Sequence, residues 1–164
     1  PGVDCGRIFA QSGGVPLGKR APQRQAYRLV ELKRFAEHLG LALNPQPRYF
    51  PVDATPSARL ITAVAEQDGM AAAMALAGAV LAACWREERD IASDATLAEL
   101  LEECDLPAER LAESRGADTQ ARYDAHTQAA MDAGVFGAPT YVIDGELFWG
   151  QDRLDFVARK LGIV

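Results

Sequence analysis

Helical periodicity dominates the chain between residues 22 and 134. The first such segment carries apolar side chains at three- and four-residue spacings and ends at Gly40; the apolar positions are Leu29, Leu32, Phe35, Ala36 and Leu39. Thr55-Pro56 is a cap and first-turn pair that predicts a second helix to about Gln67, and an alanine-rich helix is predicted after Gly69, to about Glu88. Shorter helices follow, one ending near Glu103 and one starting at Pro107, before a last helix over 117–133. The pattern therefore predicts five or six consecutive helices with no strand between them.

Two segments lack this periodicity. The first 18 residues contain five glycines and two prolines, and their composition favours a loop. Residues 44–53 carry three prolines and predict an extended connection. The helical run is therefore preceded and interrupted by irregular chain.

The period changes near the end of the chain. Residues 140–143 form a short β-rich run, Asp144-Gly145 is a strong hairpin signal, and residues 146–149 form the returning strand. Asp152 is predicted to cap a final helix that runs to about Leu161 and ends at Gly162. The C-terminal part is thus a hairpin followed by a helix.

Composition and charge limit the classes of function. At 164 residues and 49% hydrophobic content, the chain suits one domain, or one domain with an insertion. The net charge of -6 argues against nucleic acid, which needs a basic footprint. No export signal or membrane span is evident, so we expect a cytoplasmic protein that does not bind a membrane.

The charges are unevenly distributed along the chain. Residues 1–34 hold seven Lys or Arg against two acids, whereas the remainder is strongly acidic. A basic segment of this kind suits a small anionic ligand such as a carboxylate, and solvated helix-face charges are an equally good interpretation. The positions that could meet a carboxylate include Lys19, Arg20 and Arg24.

The three cysteines are Cys5, Cys84 and Cys104, and they are far apart with no Cys-x-x-Cys pair. This arrangement disfavours a disulfide framework, a zinc site and a dithiol centre. Cys84 lies in an apolar helical run and is expected to be a small core residue. No metal site is therefore predicted.

The segment from Val135 to Arg153 contains the most informative combination of residues. A cis bond between Ala138 and Pro139 would turn the backbone N–H and C=O of residue 138 outward, where an extended peptide could pair with them. The helix start at Asp152 offers free N–H groups to a carboxylate, and its side chain can accept from an ammonium. Trp149 and Phe148 could form walls. Glutathione has the shape that these two anchoring points require.

The chain resembles the 2-hydroxychromene-2-carboxylate isomerases, relatives of kappa-class glutathione transferases and DsbA. Three runs carry the resemblance, namely YRLVELKRFAEHLG, CWREERDIAS and VFGAPTYVIDGELFWGQDRL. The resemblance implies an α/β, thioredoxin-like fold with a large all-helical insertion, glutathione as cofactor and a homodimer. The chain as given is then mostly α, with one hairpin near its C-terminus.

The resemblance also implies roles for particular residues. Residue 138, followed by Pro139, would meet the cysteinyl part of glutathione through its backbone. The γ-glutamyl end would be held by Trp149, Gly150, Gln151 and Asp152. Arg153 is expected to serve as a structural ion-pair partner.

The family pattern starts with a strand, a helix and a second strand, and the serine that supports the thiol begins that first helix. We expect this unit, of roughly 40 residues in the family pattern, to be missing before Pro1, so that the catalytic serine lies upstream; Ser12 is not expected to replace it. The expected divisions are a loop over 1–21, a helical insertion over 22–134 and the C-terminal thioredoxin part over 135–164. Two sheet strands alone would be too few to be stable unless something covers them.

The activity implied by the resemblance is isomerisation of 2-hydroxychromene-2-carboxylate to the trans-benzylidenepyruvate in aromatic catabolism. Lys19, Arg20 and Arg24 are candidates, by their charge alone, for contacts with the carboxylate of this small aromatic substrate. Three alternatives stay open: a kappa-like transferase or peroxidase, a DsbA-like disulfide oxidoreductase, and a non-catalytic fragment.

Overall fold

A computed structural model describes residues 1–163 and contains eight α-helices and one two-stranded sheet within that range. The helices predicted between residues 22 and 134 are all present, as are the hairpin and the final helix. Two short 3-10 turns lie at Leu17–Lys19 and Gln151–Arg153. In chain order the elements are α1 Cys5–Ser12, α2 Pro22–Leu39, α3 Thr55–Gln67, α4 Met70–Trp85, α5 Asp94–Glu103, α6 Glu109–Glu113, α7 Ala117–Asp132, β1 Thr140–Ile143, β2 Glu146–Trp149 and α8 Leu154–Lys160.

The hydrophobic core lies between α3, α4 and α5. Leu60, Leu76 and Leu100 have no exposed surface, and Val64 and Leu97 are buried beside them. α4 is apolar on every side, which is typical of a central helix, and Cys84 is buried in the core as expected. The apolar spacing of α3 and α5 directs their leucines towards α4.

A pair of charged side chains ties α6 to the turn between α3 and α4. The Arg110 guanidinium donates to both carboxylate oxygens of Asp68, at 2.7 and 3.0 Å, and also reaches Glu113. The hydrogen bonds from Arg110 lower the pKa of Asp68, and those to Asp68 and Glu113 raise the pKa of Arg110. The bidentate geometry fixes the direction in which α6 leaves the core.

The prediction of a loop over the first 18 residues is wrong. Residues Cys5–Ser12 form α1, because the Asp4 side chain accepts from the N–H groups of Gly6 and Arg7 and so caps the helix start. Ile8 is buried, and the N–H of Asp4 donates to Thr127 Oγ1 at 3.0 Å. The glycines that suggested a loop flank a short helix that packs on α7.

The C-terminal hairpin pairs β1 with β2 in antiparallel register, from Thr140 opposite Trp149 to Ile143 opposite Glu146. Asp144 and Gly145 form the turn with φ values of 52° and 80°, as an Asp-Gly hairpin signal predicts. α8 packs against β1. Within residues 1–163 these two strands make up the whole sheet, and no helix there has the length and apolar character needed to cross a membrane.

We expect the core leucines to dominate the free energy of unfolding. Leu76→Ala removes a side chain with no exposed surface from the centre of α4, which should lower the free energy of unfolding by about 2–5 kcal/mol. Leu39→Ala is the matched control, because Leu39 is 57% exposed at the end of α2 and its loss should cost less than about 0.5 kcal/mol. Urea denaturation measures both values. Equal losses in the two variants would contradict this assignment of the core.

Candidate functional site

An open cavity of about 410 Å³ lies where the end of α1, the start of α2 and the loop before β1 meet. It contains four of the predicted site residues, Arg20, Arg24, Ala138 and Trp149. The remaining walls come from α1 and the chain after it, and from the two residues before Ala138: Phe9, Ser12, Gly13, Gly14, Val15, Phe136 and Gly137. Two groups of residues at least 112 positions apart in the sequence, since Arg24 ends one and Phe136 begins the other, therefore share one concave surface.

The loop before β1 holds Ala138 with its backbone outward. The Ala138-Pro139 bond is cis, and the hydrogen bonds from Thr140 Oγ1 to the Gly137 carbonyl (2.6 Å) and from Gly150 N–H to the Pro139 carbonyl (3.0 Å) fix both sides of it. Ala138 is exposed, and no other group among residues 1–163 hydrogen-bonds to its N–H or C=O. A strand-like ligand could satisfy both groups.

Trp149 forms one wall of the cavity and is 52% exposed. Its ring lies against Phe136, with centroids 5.0 Å apart and planes tilted by 60°. A Cβ atom added to Gly137 would lie 2.6 Å from Trp149 Nε1, which is closer than atoms can approach. The Trp149 indole can therefore lie here only because residue 137 has no side chain. Phe148 is not among the residues that line the cavity.

Asp152 is not the cap of the final helix, which corrects the prediction from sequence. Residues Gln151–Arg153 form a 3-10 turn, and α8 begins only at Leu154, where no side chain caps it. The Asp152 carboxylate instead folds back towards Gly150, where a Cβ would lie 2.5 Å from Asp152 Oδ1, and pairs with Arg153 Nη1 at 2.7 Å. Arg153 is thus the ion-pair partner that the sequence predicts.

The turn at residues 150–153 retains free polar groups. Within residues 1–163 the backbone N–H groups of Gln151 and Asp152 have no acceptor. Gly150 has a φ of 119°, a conformation that L side chains rarely adopt, and this orients the two N–H groups that follow it. The turn can therefore offer N–H donors to an anion beside a carboxylate that accepts from a cation.

The electrostatics of this region include one acid from α2. The pKa of Glu31 is lowered, first by the hydrogen bond from Arg34 and then by one from Tyr27, while the charge of Asp152 acts in the opposite direction. Each of these carboxylates is paired with an arginine, Glu31 with Arg34 at 2.8 Å and Asp152 with Arg153 at 2.7 Å.

The predicted cations divide between the cavity and the open surface. Arg20 and Arg24 line the cavity, and Arg20 Nε donates to the Val15 carbonyl at 2.7 Å, whereas Lys19 is exposed and does not line it. Among residues 1–163 none of the three has a carboxylate partner within 4.0 Å. Two unpaired guanidinium groups at one rim favour binding of an anion.

Several lining residues were not identified from the sequence. Phe9 and Val15 belong to the segment that was predicted to be a loop, and Phe136 lies in the run before the proline without a periodic signal of its own. The one available signal for α1 was Asp4 three residues before Arg7, the spacing of a helix cap. Recognising it would have placed Phe9 on a helix.

Groups for metal or disulfide chemistry are not assembled in the described part of the chain. Residues 1–163 contain no cluster of three or more metal-ligating side chains, and all three cysteines there are free. Ser12 lines the cavity, but its hydroxyl donates to the Ile8 carbonyl at 2.8 Å within α1. The cavity therefore offers backbone groups, an indole and two guanidinium groups to a ligand.

Comparison with known proteins relates the chain to thioredoxin-like enzymes. Residues 6–162 match the family model of the DSBA-like thioredoxin domain. A solved structure of a 2-hydroxychromene-2-carboxylate isomerase superposes with a TM-score of 0.84 at 24% identity, and the match covers 98% of this chain and 77% of that one. The predicted thioredoxin-like fold is thereby confirmed.

Curated 2-hydroxychromene-2-carboxylate isomerases are more similar to this chain in sequence than the solved structure is. The 2-hydroxychromene-2-carboxylate isomerase of Pseudomonas putida is 30% identical over 98% of this chain and 77% of its own length. That of Pseudomonas sp. (strain C18) is 32% identical over 98% of this chain and 74% of its own. The isomerase of Sphingobium xenophagum is 41% identical over a shorter stretch, 37% of this chain and 31% of its own length.

The position of the Trp149 ring should depend on residue 137 being a glycine, which has no side chain. Gly137→Ala places a methyl group against the indole nitrogen, so we expect the ring to rotate and its N–H signal to move in a ¹⁵N correlation spectrum. Trp85, the other tryptophan, should keep its signal. Gly18→Ala is the matched control, because nothing lies within 4 Å of a Cβ there. An unchanged Trp149 signal in Gly137→Ala would exclude the close approach described here.

Proposed function

The chain belongs to the DsbA-like thioredoxin family and, within it, to the 2-hydroxychromene-2-carboxylate isomerases, and we propose that it is a glutathione-dependent isomerase of an aromatic hydroxychromene carboxylate. One observation carries the proposal most directly. The exposed, unpaired backbone of Ala138 lines the same cavity as Trp149, Arg20 and Arg24. A peptide-like cofactor and a carboxylate substrate could therefore lie next to each other.

The residues present fit glutathione at two separate points. The N–H and C=O of Ala138 could pair with the cysteinyl residue as a neighbouring strand would. The free N–H groups of Gln151 and Asp152 could receive the α-carboxylate of the γ-glutamyl end, and the Asp152 carboxylate could accept from its ammonium. Pro139, Gly150 and Trp149 shape the space between these points. Every ligand group named has a complementary partner.

The cations at the rim suit the substrate carboxylate. Arg20 and Arg24 line the cavity without a carboxylate partner among residues 1–163, so an incoming anion displaces no existing ion pair. A guanidinium group can also hold a carboxylate by two parallel hydrogen bonds, which orients the plane of the substrate. Lys19 lies on the nearby surface, where its charge would attract the anion without touching it.

Glutathione, when bound, would supply a thiolate that adds reversibly to the conjugated double bond of the substrate and leaves after rotation, so that it is not consumed. The residues of this chain would have three tasks. Ala138 would hold the cofactor in one orientation, Trp149 and Phe136 would exclude water from one side, and the arginines would hold the carboxylate still while the rest of the molecule rotates. The net reaction is cis-trans isomerisation with ring opening.

We propose a second copy of the chain as its partner. The outer face of α4 is a stripe of exposed residues with no polar side chain, formed by Met70, Ala71, Met74, Ala75, Gly78 and Leu81. Such a stripe favours burial against another protein surface. Antiparallel pairing of two α4 helices about Gly78, where nothing lies within 4 Å of a Cβ, would set Met74 opposite Ala82 and Leu81 opposite Ala75. Met74 and Leu81 then each meet an alanine.

Binding of glutathione is the first test of the proposed activity. Titration calorimetry on the full chain should show saturable binding, and Asp152→Asn should weaken it by at least about tenfold, because a hydrogen bond between two charged groups is lost. Asp155→Asn is the control: this exposed acid lies three residues further along and forms no ion pair with Arg153, which pairs with Asp152, so this variant should bind glutathione as tightly as the unmodified protein. A folded chain without measurable binding would contradict the proposal.

A spectral assay on 2-hydroxychromene-2-carboxylate tests the chemistry itself. We expect isomerisation only when glutathione is present, with no loss of glutathione over many turnovers. Arg24→Gln should raise KM by about tenfold while glutathione binding is unchanged. Consumption of glutathione in proportion to substrate would instead indicate the alternative activity, a kappa-like transferase.

Sedimentation velocity tests the proposed dimer. Met74→Glu places a charge in the middle of the apolar stripe of α4 and should convert the dimer to a folded monomer, because an unpaired buried charge opposes association. Leu39→Glu is the control, since Leu39 is exposed to a similar extent at the end of α2, away from the stripe. A monomeric unmodified protein, or a Met74→Glu variant that remains dimeric, would refute this interface.

A further inference from the structure

A second cavity, of about 270 Å³, is lined by a part of α2 that begins one residue after Arg24, the last α2 residue of the site described above. It is formed between α2 and the proline-rich loop at residues 45–51. Its walls are apolar or aromatic except for two amides, from Gln25 and Gln46, and one charged side chain, that of Arg28. No carboxylate lines it.

The Arg28 guanidinium is positioned by two aromatic rings. It lies 5.0 Å from the centroid of Phe50 and 5.5 Å from that of Trp85, and the two rings are themselves 4.6 Å apart. Contacts of this kind hold the face of the guanidinium and leave its N–H edge available to a planar acceptor. Phe50 and Arg28 both line the cavity.

The loop that completes the cavity is fixed to the end of α4. The Asn44 N–H donates to the Trp85 carbonyl at 2.7 Å, and the Asn44 side chain donates to Glu88 Oε1 at 2.8 Å. The backbone N–H of Arg48 donates to the same Glu88 oxygen at 3.1 Å. These bonds hold Phe50 in place against Trp85, so the cavity is formed before any ligand arrives.

The charge of Arg28 is not balanced within the described chain. Eight arginines among residues 1–163 form ion pairs with Asp or Glu, but Arg28 does not, although it is partly buried. Burial, and then the nearby charge of Arg20, lower the pKa of Arg28. A cation that is both partly desolvated and close to another cation would be stabilised by an anion.

We propose that this cavity is a second binding site, separate from the one at Ala138, and that it takes an aromatic carboxylate. The carboxylate would form two hydrogen bonds with Arg28, and the ring would lie among Leu29, Pro45, Phe50 and Pro51. Gln46, whose side chain has no hydrogen-bond partner among residues 1–163, can donate a further bond. The proposal does not depend on glutathione binding.

The two tryptophans allow each site to be followed separately in the unmodified protein. Trp85 adjoins Arg28 and Phe50, whereas Trp149 lines the other cavity, so the two indole N–H signals in a ¹⁵N correlation spectrum report on different sites. Titration with trans-cinnamate should shift the Trp85 signal to saturation, and it should do so equally when glutathione is already present. Cinnamamide, which lacks the charge, should bind at least about tenfold more weakly.

Substitutions test whether Arg28 is the residue that binds the carboxylate. Arg28→Gln should weaken cinnamate binding at Trp85 by at least about tenfold. Arg48→Gln is the matched control, because Arg48 is also an unpaired arginine over a ring, 5.3 Å from the Tyr49 centroid, but does not line the cavity. The affinity of Arg48→Gln for cinnamate should stay within about twofold of that of the unmodified protein.

Arg28→Lys addresses the case in which Arg28→Gln does not fold, since it keeps the charge but loses the two parallel hydrogen bonds, and should bind with intermediate affinity. Equal cinnamate affinity in the Arg28 and Arg48 variants would overturn the proposal. It would also be overturned if glutathione abolished the Trp85 shift, or if Trp149 alone responded. Failure of glutathione to bind, in contrast, would leave these outcomes unaffected and would bear only on the proposed isomerase.

Discussion

Burial of leucine side chains between α3, α4 and α5 is the interaction on which the rest of the structure depends. A two-stranded hairpin cannot hold a fold together by itself, and the described sheet has only β1 and β2. The elements that carry the candidate site are therefore stabilised indirectly. α7 packs on α3, and α1 is attached to α7 by the buried Ile8, the bond from Asp4 to Thr127 and the ion pair of Arg7 with Asp124.

This arrangement places the groups of the candidate site at the edge of the helical core. The leucines of the core are fully buried, whereas Ala138, Trp149 and Asp152 are all exposed. Local contacts fix the positions of these residues. The Gly150 N–H donates to the Pro139 carbonyl, and the lack of a side chain at Gly137 leaves room for the Trp149 indole. Because few apolar contacts hold these loops, their local stability is expected to be lower than that of the core, which suits groups that must admit a ligand.

Sequence patterns predicted the elements whose signals are local. The periodic apolar residues of α2 and the Asp144-Gly145 turn required no knowledge of distant residues. The predictions failed where two signals competed. Around α1, the glycines suggested a loop, although Asp4 caps a helix. At Asp152, the sequence has the pattern of a helix cap, but the residue lies in a 3-10 turn and its carboxylate pairs with Arg153.

The candidate site was predictable only in part, for the same reason. Arg20, Arg24, Ala138 and Trp149 could be singled out by residue type, and they do line one cavity, but the roles of Phe9 and Phe136 depend on a contact between distant segments. The second cavity is a stronger example: no local pattern joins Arg28 to Trp85, and Phe50 lies beside both because hydrogen bonds from Asn44 and Arg48 fix its loop to Trp85 and Glu88. Eight arginines among residues 1–163 form ion pairs, whereas Arg24 and Arg28 on α2 have no carboxylate partner there, which leaves both available to an anion. The two cavities along this helix would therefore hold an anion in different ways: one presents guanidinium groups at an open rim, and the other presents a single guanidinium held against aromatic rings.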